Sequence, residues 1–355
     1  MVHDVTGKAR WQAWLEGGAA DEITLRENEA AWQRLRLRPR VLRGLDGSHL
    51  RCPLGARTLP HPIFVAPMAH QAALHPQAEA GCAVAAAALG AGFVLSCQSN
   101  TPMEDIARLY LADAGRGALW CQLHWLHARE VCLAYLQRAA DAGFEAAVLT
   151  LDAPVQGFRD RERASGFTLA AGTGNANLPE RPEHTLAELL AAAPTWRELA
   201  WLIQRSPLPL WLKGVLHPQD AVLAAEHGAG GLIVSNHGAR QLDTVLATAD
   251  ALPDVAAANG GRLPLLVDGG LRRGTDVLKA LALGAQAVLV GRPVARALAA
   301  DGARGVAGAL RQLLDELTIA MALCGLREPA QAADAARAGD FFARLPVNAI
   351  KSRLL

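Results

Sequence analysis

A chain of 355 residues, 51% hydrophobic and 19% charged, is long enough to bury a large core, and one barrel of roughly 250 residues with additions accounts for all of it as a single domain, 1–355. Its formal net charge is only +1 and its basic residues are dispersed, so it carries no electrostatic footprint for nucleic acid or an anionic membrane surface. No run approaches the roughly 18 apolar residues that cross a bilayer, no basic-then-apolar leader opens the chain, and the six cysteines lack CxxC spacing; a soluble, cytoplasmic protein with reduced thiols and no metal centre is expected.

About 60 residues precede the first predicted strand. Within them 11–16 and 21–32 have helical character, with Thr24 and Glu27 offering a capping box, and residues 1–50 read as a helical cap. The arginines of 34–43 read as a solvated face. Short apolar runs then recur at 63–66, 93–95, 118–123, 146–151, 208–212, 232–234, 265–267 and 287–290. Alanine- and leucine-rich stretches with helical spacing lie between most of them, at 78–89, 128–142, 218–227 and 274–283. Eight alternations predict an α/β fold, the closed (β/α)8 or TIM barrel, finished by closing helices at 294–298, 305–323 and 329–336. The interval 152–207 is far longer than the others and holds the loop-forming run 171–177. It reads as a lid after the fourth strand.

Catalytic groups of such barrels sit at the carboxyl ends of the strands. Here those ends carry Pro67, Met68 and Ala69, then Ser96, Gln122 with His124, Thr150 with Asp152, Lys213, Ser235 with His237, Asp268, and Gly291 with Arg292. The segment from Ser235 to Asp243 sets a base, His237, three residues before a cation, Arg240, just past a buried run. That spacing suits removal of a proton beside a carboxylate. A lone histidine after a strand is more often a hydrogen-bonded loop residue, and it is the company of the other polar tips that favours chemistry. At the last two strands Gly270 and Arg272, then Gly291 and Arg292, offer glycine-backed amides and guanidiniums to a phosphate, against the plainer reading of a turn at 268–270.

The stretch SNHGARQLD, with VDGGLRRGTDVLKALALGAQAVLVGRP, resembles the FMN-dependent 2-hydroxy acid oxidase and dehydrogenase family, which includes glycolate oxidase, flavin-type lactate dehydrogenase and mandelate-oxidising enzymes. The likeness runs from GGAADEITLRENEAAW through APMAHQAALHP and QLHWL to the closing helices, nearly the whole chain. It implies FMN as cofactor, its phosphate held by Gly270, Arg272, Gly291 and Arg292 and its ribityl chain near Asp268. Ala66, Pro67, Met68, Ala69, Ser96, Gln122, Thr150 and Ser235 would surround the ring, and Lys213 would face N1 and the C2 carbonyl. Arg159 and Arg240 would grip the carboxylate of a small 2-hydroxy acid. His237 would take a proton, with Asp152 orienting its imidazole, and the same residues serve a carbanion or a hydride route. A homo-oligomer, by resemblance a tetramer, completes the expectation.

Two departures concern the substrate. The family's QLY is here Gln122-Leu123-His124, and a second tyrosine is replaced by Trp14; Gln98 also stands where an aromatic is common. His124 is then the substrate-facing and catalytic candidate at that strand, and Trp125, lining the same mouth, would suit an aryl or larger side chain. The missing phenols keep open a flavin barrel with altered chemistry on an unusual or carrier-bound substrate. A non-redox isomerase or lyase on the same fold is the third reading.

Overall fold

The computed structural model describes residues 5–126, 128–169, 174–178 and 185–343, with the side chains of 5–9 left aside. Two short strands, β1 (Cys52–Leu54) and β2 (Arg57–Leu59), form an antiparallel hairpin. Eight parallel strands follow: β3 (Ile63–Val65), β4 (Gly92–Ser96), β5 (Leu119–His124), β6 (Ala146–Thr150), β7 (Leu210–Val215), β8 (Gly231–Val234), β9 (Leu265–Val267) and β10 (Ala287–Val290). They close into a barrel when β10 pairs with β3, Val288 opposite Ile63. The (β/α)8 barrel expected from the sequence is the observed architecture.

Phe64, Trp120 and Trp211 form a tilted aromatic ladder inside the barrel, with ring centroids 4.7 and 4.6 Å apart. Glycine on neighbouring strands makes the space: a Cβ at Gly92 would collide with the Phe64 ring, and one at Gly231 with the Trp211 ring. Cys52, Leu54 and Leu59 of the hairpin share this buried cluster, so the hairpin closes the amino-terminal end of the barrel and leaves the other end open. A second apolar layer joins the outward strand residues to the helices.

The predicted helix starts need one correction. The cap helix runs Ile23–Arg34, so Thr24 lies inside its first turn, and no side chain at its N-cap, Glu22, closes it. Asp243 does so from 219 residues away, accepting from Thr24 N at 2.8 Å and Ile23 N at 3.1 Å. A local Thr/Glu pattern lost to a carboxylate that only the tertiary fold delivers. The interval 152–207 is also more structured than a loop, holding helices Asp160–Ser165, Leu186–Ala191 and Trp196–Arg205. Of its run 171–177, residues 171–173 lie outside the described residues. The predicted closing pieces 294–298 and 305–323 belong to one helix, Arg292–Leu323, broken by non-helical backbone at Asp301 and Gly302. Among the described residues no helix is long and apolar enough to cross a membrane.

Candidate active site

The open end of the barrel surrounds a cavity of about 610 Å³. Ala66, Pro67, Met68, Ala69, Ser96, Gln122, His124, Thr150 and Lys213 line it from the strand tips, and His237, Arg240, Asp268, Gly270, Arg272, Gly291 and Arg292 from the loops beyond. Arg159 reaches it from the long interval. Two predicted residues stand behind the wall instead. Ser235 is fully buried and accepts from Lys213 Nζ at 2.9 Å and from His237 N at 3.0 Å, so it positions two neighbours. Asp152 lies behind His237, with Oδ1 3.1 Å from its Nδ1.

Local backbone explains how these groups meet. Strand β7 runs past Lys213 and is interrupted by a register shift at Gly214, whose φ is +104°. A side chain there would strike Asp152, so glycine is what lets Asp152 approach His237. His237 sits in the left-handed region, φ +56°, which turns its ring toward the cavity. With Nδ1 held by Asp152, Nε2 is the nitrogen left for chemistry. Burial, reinforced by Lys213, pushes the His237 pKa below its ordinary value despite the hydrogen bond that Nδ1 donates to Asp152. Burial alone would raise Asp152, yet His237, Lys213 and His124 together bring its carboxyl below the usual range. The pair is therefore a neutral imidazole backed by a carboxylate near neutral pH.

Lys213 is buried and ion-paired with Asp268, Nζ to Oδ2 3.2 Å. Gln122 donates to Thr150 Oγ1 at 3.0 Å, tying two adjacent tips together. The ring of His124 stacks on that of His237, centroids 6.1 Å apart and planes 17° apart. Trp14 stacks on Phe167 of the long interval at 5.2 Å and 18°, and its ring lies 6.0 Å from the Arg240 guanidinium carbon. An aromatic wall thus replaces the expected phenol.

The cations are less free than the sequence implied. Arg272 pairs with Glu29 at 2.6 Å, and Arg292 donates to the carbonyls of Leu15, Gly17 and Gly238. Arg240 donates to Trp14 O and Gly17 O at 2.7 and 2.9 Å. Burial first, then Arg159 and Arg292, bring the Arg240 pKa down to about 9, which leaves it charged at neutral pH. Gly270 is required for a reason other than anion approach: its φ is +76°, and any side chain would run into the Asn28 carbonyl of the cap helix. Sequence reasoning missed Glu162, Phe167 and Asn28. Asn28 and Asn236 exchange side-chain amide bonds at 2.9 and 2.8 Å across 208 residues. Only Glu162 had a signal, a carboxylate three residues after Arg159 on a helical turn.

Five lysine and arginine side chains face two carboxylates, Glu162 and Asp268, in the lining, a formal +3 in a chain whose whole balance is +1. Such a mouth defines a barrel enzyme that works on anionic small molecules. A profile of the FMN-dependent dehydrogenase family matches residues 6–337. An L-lactate oxidase of Roseobacter sp. (strain GAI101) is 48% identical over 324 residues, 88% of this chain and 86% of that protein. Glycolate oxidase of Spinacia oleracea is 39% identical over 326 residues, 88% of this chain and 87% of that one. A crystal structure of mandelate oxidase with benzoyl-formic acid superposes with a TM-score of 0.85 at 38% identity, covering 95% of this chain and 94% of that one. The chain belongs to the FMN-dependent dehydrogenase family.

The mouth fits that cofactor on observations of its own. Asp268 Oδ1 is buried without a hydrogen-bond partner among the described residues, an acceptor suited to a ribityl hydroxyl. At Gly291 a Cβ would meet Ala66 and Met68 only at ordinary contact distances, so packing within the chain does not itself demand glycine there. Helix Arg292–Leu323 starts from Gly291 with no side-chain cap, which leaves the amides of Arg292 and Val294, on either side of the N–H-less Pro293, for a phosphate.

Proposed function

We propose that this mouth is the active site for oxidation of a 2-hydroxy acid to the 2-oxo acid, with His237 as base and Arg159 and Arg240 binding the carboxylate. FMN, when bound, supplies the acceptor for the two electrons that leave the hydroxy acid. Lys213 would hold positive charge beside the ring, and Ser96, Gln122, Thr150, Asp268, Gly291 and Arg292 would seat the group, with Ala66, Pro67, Met68 and Ala69 against its face. His237 Nε2 receives the substrate proton, and Asp152 stabilises the imidazolium that forms. The two guanidiniums hold the carboxylate on the cavity side of that imidazole, and burial keeps water from competing. The observation that carries this reading is the His237–Asp152 pair opening on the same cavity as Arg159 and Arg240.

The outer cavity favours a substrate side chain larger than methyl. Trp125, Phe167, Leu169, Leu178 and Leu189 add apolar surface to the lining, and aryl or branched aliphatic groups fill such a surface. The mandelate oxidase bound to benzoyl-formic acid supports the aryl choice. His124, facing His237 in place of a phenol, favours a second reading in which the substrate is unusual or carrier-bound. An anaerobic screen of flavin reduction with aliphatic and aryl 2-hydroxy acids of both hands separates the two, and reoxidation by air or quinone identifies the acceptor. Reduction by an aryl acid supports the first reading, and no reduction by any free acid supports the second. His237→Ala should retain bound flavin but lose its reduction by at least about a hundredfold; unchanged reduction would remove the proposed base. Homo-tetramer assembly and a cytoplasmic location belong to the same proposal, checked by light scattering and cell fractionation.

A further inference from the structure

The guanidiniums assigned to the substrate carboxylate already share an anion from this chain. Glu162, on helix Asp160–Ser165, lines the cavity and sets one oxygen, Oε2, 3.2 Å from Arg159 Nη1 and 3.4 Å from Arg240 Nη2. The three side chains are only 19, 11 and 17% exposed, so salt and water screen the contact weakly. Two further nitrogens of these arginines donate to backbone: Arg159 Nε to Arg240 O at 3.0 Å, and Arg240 Nη1 to Trp14 O and Gly17 O. Those carbonyls fix direction but carry no full charge. Arg159 and Arg292 both work against the charge on Arg240, and Glu162 is the group that favours it. Asp268, the other carboxylate in the lining, is engaged by Lys213. One carboxylate oxygen bridging two guanidiniums is also the contact a bound organic acid would make.

We propose that Glu162 is a specificity-determining residue: the resident counter-ion of the Arg159–Arg240 pair, against whose charge the substrate carboxylate must bind. This rests on the assignment of those arginines to the substrate. The pair and Glu162 together carry one net positive charge, which matches a single carboxylate. A 2-hydroxy acid bearing a second carboxylate meets Glu162 as a like charge. The site is thereby tuned to monocarboxylates at some loss of affinity.

Glu162→Gln keeps the length and an acceptor oxygen while removing the charge. With the flavin-loaded enzyme, KM for a monocarboxylic 2-hydroxy acid and Kd for the non-reacting 2-oxo acid should both fall on the order of tenfold, the effect of deleting a nearby like charge in a poorly screened site. The turnover number should not rise. The kcat/KM for a dicarboxylic 2-hydroxy acid should increase by a larger factor than for the monocarboxylate. A KM and Kd that stay the same or rise overturn the proposal, since that is what a purely structural role gives. If the glutamine variant does not fold, Glu162→Asp draws the charge back by one methylene, and a smaller fall in both constants is expected; no fall overturns it. If the wild-type enzyme oxidises no hydroxy acid, the functional assignment fails, while the Kd comparison still decides the role of Glu162.

Discussion

His237 and Ala239 hold left-handed backbone, φ +56° and +63°, on either side of Gly238. For residues with a Cβ this costs about 1–2 kcal/mol each, and neighbouring side chains hold it in place. Ser235 Oγ accepts from His237 N, and Asn236 Oδ1 accepts from Ala239 N at 3.2 Å. With His237 as the proposed base, its depressed pKa predicts the acid limit of activity: kcat/KM should rise with pH through a value below the ordinary histidine range and level off once the imidazole is neutral. The His124 ring lies beside that of the base, planes 17° apart, where the family's pattern would set a phenol. Replacing His124 by Tyr should change the rate on small hydroxy acids, as read from steady-state kinetics. If the rate does not change, His124 has no part in the site. The motif around His237 was legible because its residues are consecutive. That Ser235 is buried and bonds Lys213 and His237 was not legible, because sequence alone does not say which strand-end side chains turn inward, and Phe167 joins the site only through partners that the fold supplies.

Single elements carry their own titration. His61, just before β3, is buried; its Nε2 lies 2.9 Å from Leu89 O, and its Nδ1 accepts from Ile63 N at 3.3 Å. That pairing needs the neutral ring with its proton on Nε2, because a proton on Nδ1 would face the Ile63 N–H. Burial brings its pKa down to about 4. Between about pH 6.5 and 4 the unfolded chain binds this proton and the folded one does not, so stability falls as pH falls across that window, by about 3 kcal/mol at pH 4. Denaturant unfolding at stepped pH should show this slope, and His61→Gln should flatten it; an unchanged slope would assign the loss elsewhere. The same scale shows where local patterns mislead. The strands and most helices followed from period and spacing, whereas the start of the cap helix was set by Asp243 from another part of the chain.

The whole barrel depends on where its bulk is placed. Eight apolar runs were enough to read its closure, but not the aromatic ladder that fills it, since Phe64, Trp120 and Trp211 come from three separate runs and meet only once the sheet curves shut. Gly231 gives Trp211 its place. Gly231→Ala should destabilise the protein by about 2–3 kcal/mol through overpacking, seen as a lower denaturation midpoint with unchanged slope. A variant as stable as the wild type would mean that the ladder can slide aside.

The carbonyls of Trp14, Leu15 and Gly17 receive their guanidinium partners from Arg240 and Arg292, as many as 277 positions later in the chain. On the ribosome, the early segment therefore emerges long before the residues that hold it, and those contacts cannot form until at least six of the barrel strands have been synthesised. The wall beside the proposed base is among the first parts to be synthesised, yet its guanidinium contacts wait for most of the barrel to be made.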